Sequence, residues 1–346
     1  MRNSLLRRIS QKDLSILQSS TSKWTWEVAK HVGTLVHVRH LGLPLQPMSL
    51  MQEALCQLRI DKASLLLDGD PSAHVDIAET MAKLGIKDMN WEDVIKLPKD
   101  QGQAYLQRLE ERKNMFLNLQ RFMVKIRRAL RAEECLLADK QRAMAEKSAV
   151  NSDREKVIDT LAWTVATICG FDEYPLVLTA TGLDDLITGQ RAHEFKMFKQ
   201  TVTSKPDLFV VRSANETAFP DKMVIIFEDK CESTVPHGGH LGQILGECLM
   251  MQYNNLIRHN FASSGTSSVY CMRLINHYIQ FFALECTKTE LTQICDTNPP
   301  TTELITKLRL ICHQADAETS SGLDLLDTTQ RREAMVIASS LRQAVC

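Results

Sequence analysis

Lys205-Pro206-Asp207-Leu208-Phe209-Val210-Val211 is a short β-branched and aromatic run that opens on a proline and an aspartate. Soon after it comes Met223-Val224-Ile225-Ile226-Phe227-Glu228-Asp229-Lys230, a second apolar run that closes on Glu-x-Lys. Both have the composition of buried strands, and a polar loop joins them. Side chains alternate along a strand, so Glu228 and Lys230 are expected on one face and Asp229 on the other. If the two runs pair as a hairpin, Asp207 arrives beside that Glu/Lys pair. Two carboxylates and a lysine at the end of a buried sheet are a donor set for a divalent metal and a water next to a phosphodiester.

The elements around this hairpin read as an α/β layer. Upstream, Glu155 to Ile168 carries Val157, Ile158, Leu161, Val165 and Ile168 at helical spacing, after a polar break at Val150-Asn151-Ser152-Asp153 and before Gly170. Leu176 to Thr179 suits a short strand. Downstream, His240 to Leu256 returns to helical periodicity with Leu241, Ile244, Leu245, Cys248 and Leu249 on one face, while Gln243 and Glu247 share another. Val269 to Leu274 and Tyr278 to Glu285 read as two strands joined at Asn276-His277. Alternating strands and helices of this kind predict a central mixed sheet flanked by helices.

These residues resemble the PD-(D/E)xK, or restriction-endonuclease-like, nuclease superfamily. The match is Pro206-Asp207, then Glu228-Asp229-Lys230, then Gln243 on the next helix, over roughly residues 150 to 286. More loosely, the core resembles the nuclease-like domain of eukaryotic crinkler-type proteins, in which a Val-Tyr-x-Met/Ile-Arg strand follows; here it is Val269-Tyr270-Cys271-Met272-Arg273. The Leu-Phe-Leu-Ala-Lys header of such proteins is absent. The resemblance implies a metal-dependent nuclease that hydrolyses phosphodiester bonds in DNA or RNA. In it Asp207 and Glu228 bind Mg²⁺, for which Mn²⁺ can substitute, and Glu155 on the first core helix adds a ligand. Lys230 assists at the attacking water or the phosphate, and Gln243 completes the catalytic set. The alternatives are a catalytically degenerate module of the same fold that binds nucleic acid or a protein, and a helical interaction or scaffold protein.

The rest of the chain divides by composition. Residues 1–100 read as short helices separated by turn signals at Gly42-Leu43-Pro44, Asp68-Gly69-Asp70-Pro71 and Leu97-Pro98, with Trp24 and Trp26 anchoring a small core of their own. A protein partner could dock there. Residues 101–150 lack proline and form a long amphipathic helix or helix pair, with eleven basic residues against six acidic ones. Lys125, Arg128 and Arg131 on it are candidate phosphate contacts for a nucleic acid. Residues 151–290 hold the nuclease-like domain, and residues 291–346 read as a tail that is helical after Pro299-Pro300.

Global composition sets the class. With 346 residues, 44% hydrophobic and 24% charged, the chain has the composition of a globular protein. The ten cysteines form no Cys-x-x-Cys and no zinc-finger spacing, as expected of reduced thiols in an intracellular protein of the nucleus or cytoplasm. The N-terminal segment is basic and serine-bearing, which leaves a mitochondrial address as the alternative. No run of about 18 apolar residues predicts a membrane span.

Overall fold

The computed structural model describes residues 10–37, 41–57, 103, 107, 149–173, 175–180, 193–212, 222–230, 240–258, 265–298, 308–313 and 322–346, without the side chains of 149–157, 229 and 230 and a few others. The chain forms two compact units. The first comprises Met1–Leu45, Gly170–Asp324 and Ser340–Cys346, and the second Gln46–Cys169 and Leu325–Ser339.

In the first unit, α1 (Gln11–Leu17) and α2 (Trp26–Ala29) lead into β1 (Thr34–His37). Strands β2 (Leu176–Ala180), β3 (His193–Met197), β4 (Gln200–Ser204), β5 (Leu208–Arg212) and β6 (Lys222–Lys230) follow, β2–β6 being part of the α/β core. Helix α3 (Leu241–Gln252) continues as a π-helical segment, Tyr253–Arg258, before β7 (Thr266–Ile275) and β8 (Tyr278–Thr287). Helix α4 (Lys288–Asp296), β9 (Arg309–Cys312) and β10 (Leu323–Asp324) complete the unit's main elements.

Eight strands form one mixed sheet in the order β1-β9-β8-β7-β6-β5-β2, with β10 paired to β8 beside β9. Parallel pairs occur at β1/β9 and β6/β7; the other pairs are antiparallel. The expected hairpin of the two motif strands is present as β5/β6, and Asn276, at φ 54°, turns β7 into β8. A fold of mixed α/β class with a large mixed sheet is therefore present. The tail carries a long helix, Thr328–Val345, as expected, and adds two short strands, β9 and β10, that the sequence did not suggest. Arg309-Leu310-Ile311-Cys312 is too short a run to reveal its type, and its partner β1 lies near the other end of the chain.

Helix α3 is the centre of this unit. Every residue from Leu241 to Gln252 is buried. One side packs on the sheet through Phe209, Val211, Ile226, Val269, Cys271, Phe282 and Leu284, and Leu17, Trp24, Trp26 and Val28 join the same core. The N-terminal tryptophans thus belong to the main core and not to a small one of their own. Glycines make this cover possible. A Cβ on Gly242 would stand 2.5 Å from the Trp24 carbonyl oxygen and the Thr25 carbonyl carbon, and one on Gly246 would stand 2.7 Å from Thr21 Cγ2. Only a helix face without side chains lets the backbone of residues 21–25 approach so closely.

Two local devices fix strands to their helical neighbours, one in the separate two-stranded β3/β4 sheet and one in β6. The β3/β4 turn at Phe198 and Lys199 has φ of 50° and 64°, which non-glycine residues resist. Its amides donate to Ile294 O (2.8 Å) and Cys295 O (2.7 Å), so the turn satisfies carbonyls at the end of α4. In β6, Val210 pairs with Ile225 but Val211 pairs with Met223, which leaves Val224 as a bulge. Asn255 of the π-helical segment clips that point: its Oδ1 accepts from Met223 N (3.1 Å) and its Nδ2 donates to Met223 O (2.7 Å).

The second unit contains α5 (Leu50–Gln57), α6 (Ala149–Ile168) and the first part of α7 (Thr328–Val345). Helix α6 already includes residues 149–153, so the polar run Val150–Asp153 is helical and not a break. Ile158, Leu161, Ala162 and Val165 form its buried stripe. Arg331, 1% exposed, donates to Leu325 O at 2.8 Å and ties the chain entering α7 to the helix. Gln52 Oε1 accepts from Ser339 Oγ at 2.6 Å. The basic segment expected over 101–150, with Lys125, Arg128 and Arg131, lies outside the described residues except at its edges.

Candidate active site

At one end of the large sheet, polar residues replace the apolar face. Leu208 pairs with Phe227, so Asp207 stands one step beyond the ladder, level with Glu228. Glu228 pairs with Arg273 across the parallel β6/β7 ladder, and Arg273 pairs with Gln280 across β7/β8. Cross-strand partners share a face, so Asp207, Glu228, Arg273 and Gln280 form a row across four strands. Alternation places this row on the face that carries Ile226, Cys271 and Phe282, the face covered by α3. The bulge at Val224 contributes, because a one-residue shift of β6 would send Glu228 to the other side.

Glu228, Arg273, Gln280 and Glu247 are each 0% exposed and Gln243 is 8% exposed, while Asp207 is half-buried. The site is therefore closed at its inner end and reaches solvent near Asp207. From α3, Gln243 Nε2 donates to Glu247 Oε1 at 2.8 Å. Among the described residues no amide, hydroxyl or cationic donor reaches Glu247 Oε2. The Glu228 carboxyl is close enough to hydrogen-bond Glu247, which requires a proton on one of the two.

Burial favours a proton on this pair. Burial pushes the Glu247 carboxyl up to about 8, and the Asp207 charge adds to the rise, while the hydrogen bonds from Gln243 and with Glu228 act against it. Burial thus favours the neutral form of Glu247. Burial lowers the Arg273 guanidinium to about 10, and the Glu228 charge works the other way, so Arg273 stays cationic. Its Nε donates to Gln280 Oε1 at 2.8 Å and its Nη2 to the same oxygen. The Phe282 ring centroid lies 5.4 Å from Arg273 Cζ, a cation–π distance. Cys271 lies in this row's shadow beside Cys248, and burial above all raises its thiol well above the ordinary value. A thiol so placed is inert, so the arrangement is one of carboxylates and not of a cysteine nucleophile.

The donor set fits a hard divalent cation in kind. Asp207 and Glu228 supply carboxylate oxygens and Gln243 an amide, which are oxygen donors of the type Mg²⁺ takes along with waters. Among the described residues no three His, Cys, Asp or Glu side chains gather into a metal-holding group. Lys230 ends β6 opposite Ile275, and its side chain, like that of Glu155, lies outside the described residues.

Of the residues named from the sequence, the structure brings Asp207, Glu228 and Gln243 into one neighbourhood. By sequence Gln243 and Glu247 form a polar face away from the apolar stripe; in the structure both are buried, because the sheet covers one side of α3 and residues 17–28 cover another. Arg273 and Gln280 were not singled out for chemistry. The available signal was a single charged or amide residue inside each of two otherwise apolar strand runs, a pattern that demands a buried partner. The chain matches no protein-family model and no curated protein. Among the described residues no helix is long and apolar enough to cross a membrane.

Proposed function

We propose that this protein is a metal-dependent nuclease with a restriction-endonuclease-like core, acting on phosphodiester bonds of DNA or RNA. The observation that supports this most is the meeting of Asp207 and Glu228 at one sheet end, under the Gln243-bearing helix that follows the Glu-x-Lys strand. In this reading Asp207 and Glu228 hold Mg²⁺, with Gln243 as a neutral oxygen or amide donor at the inner wall. The cation, when bound, acidifies a water and offsets charge building on the phosphate. Lys230 stabilises the same charge from the end of β6. Glu247 keeps its proton and hydrogen-bonds Glu228, which removes one negative charge from a crowded pocket.

The full burial of Glu228 and Glu247 favours a second reading, in which the same core has lost cleavage and binds nucleic acid or a protein. One assay separates the two. Single- and double-stranded DNA and RNA are incubated with the wild-type protein, Asp207→Ala and Glu228→Ala in Mg²⁺ or Mn²⁺. Cleavage by the wild type alone is the expected result. Lys230→Ala should lower kcat more than it raises KM, because its interaction strengthens in the transition state. Cleavage at full rate by Glu228→Ala would place the activity elsewhere, and binding without cleavage by the wild type would establish the second reading.

A further inference from the structure

Glu228 is surrounded by acids. Asp207 stands level with it in the row, and Glu247 meets it from α3. A buried carboxylate holds its charge only where a cation or several donors compensate it. Arg273 is placed to do so: it is the direct partner of Glu228 in the parallel ladder, both are 0% exposed, and the two charges act on each other. Arg273 is itself held from two directions. Gln280, its partner on β8, takes two guanidinium donors on one oxygen, and Phe282 lies against the cation.

We infer that Arg273, oriented by Gln280, is the positioning residue that fixes the Glu228 carboxylate at the end of the sheet. The inference rests on the proposed role of Glu228 as a metal ligand. Arg273 is fully buried, so it acts on substrate or cation only through Glu228. The geometry requires arginine in particular. A planar fork can give Gln280 two hydrogen bonds and still face a carboxylate, whereas a lysine ammonium on a flexible stem fixes no plane. Loss of a partner that orients a ligating group typically costs roughly 10- to 100-fold in metal affinity.

The test is a double-mutant cycle joined to a cation titration. Thermal unfolding is measured for the wild type, Glu228→Gln, Arg273→Met and the double variant. Arg273→Met should lower Tm because it strands the Glu228 charge, and adding Glu228→Gln should restore most of that loss. An equal loss in both backgrounds would overturn the inference, leaving Arg273 as packing. Should Arg273→Met fail to fold, folding of the double variant is the expected rescue, and failure of both overturns the inference. In parallel, Mn²⁺ is titrated calorimetrically into wild type, Arg273→Lys and Gln280→Leu. The Mn²⁺ dissociation constant should rise roughly tenfold or more in both variants, and unchanged values would also overturn it. A wild-type protein that neither binds Mn²⁺ nor cleaves would sink the nuclease proposal alone, since the cycle measures the Arg273–Glu228 link without metal.

Discussion

Glu228 on β6 and Arg273 on β7 are direct partners in a parallel ladder, and neither exposes any surface. A charged pair at that depth is costly to assemble and costlier to break. Its consequences extend to Glu247, whose protonated form burial favours.

That proton predicts a pH dependence. The Glu247 pKa rises from an ordinary 4.5 to about 8 on folding. Below the unfolded value both states are protonated and the group is neutral to stability. As pH rises from 4.5 towards 8 the unfolded chain releases the proton and the folded one keeps it, so stability falls; above 8 the loss is complete. The slope contributed is of order 1.4 kcal/mol per pH unit. Glu247→Gln keeps the shape and removes the titration. Urea unfolding at several pH values should give a flatter profile for the variant, and parallel profiles would show that Glu247 ionises normally.

Gly242 and Gly246 predict a graded response to one added methyl. At Gly242 the new Cβ meets backbone, the Trp24 oxygen and Thr25 carbon at 2.5 Å, whereas at Gly246 it meets the Thr21 side chain at 2.7 Å. Backbone yields less than a side chain. Gly242→Ala should cost about 1–3 kcal/mol and Gly246→Ala less, measured by denaturant midpoint. Limited proteolysis should find residues 17–28 easier to cut in Gly242→Ala. A reversed order would mean the N-terminal cover is looser than its packing.

Asn255 predicts a coupling between the π-helical segment and the strand that carries Glu228. Asn255→Leu leaves both Met223 N and Met223 O without their side-chain partner, at a cost of about 1–3 kcal/mol for each stranded group. Hydrogen exchange should quicken at the start of β6. Stability equal to wild type would show that the bulge at Val224 holds without its clip.

Nucleic-acid binding through Lys125, Arg128 and Arg131 predicts a salt effect. Each phosphate contact releases counterions, so affinity should fall steeply with salt, and neutralising all three should flatten the slope by roughly one unit per lost contact. Binding should weaken alike for all sequences. A slope unchanged in the triple variant would return this segment to a solvated face.

Local pattern decided a good part of this molecule. Two apolar runs, one opening on Pro-Asp and the other closing on Glu-x-Lys, were sufficient to place β5 and β6 in one hairpin, because strand type and pairing between near neighbours depend on residues within a few positions. The same holds for the Asn276 turn and for the stripe Ile158, Leu161 and Val165 of α6. Only the tertiary structure decided the rest. Strand β9 joins β1 across almost the whole chain, and no local window contains both. Gln243 and Glu247 look solvated on a helical wheel, and became buried because two different segments of chain cover α3. Glu228 and Arg273 are an ordinary acid and an ordinary base until the β6/β7 register sets them side by side. Register, burial and the charge state of Glu247 are properties of neighbours brought from distant sequence, and the low polarizability of the packed interior is what turns that neighbourhood into chemistry.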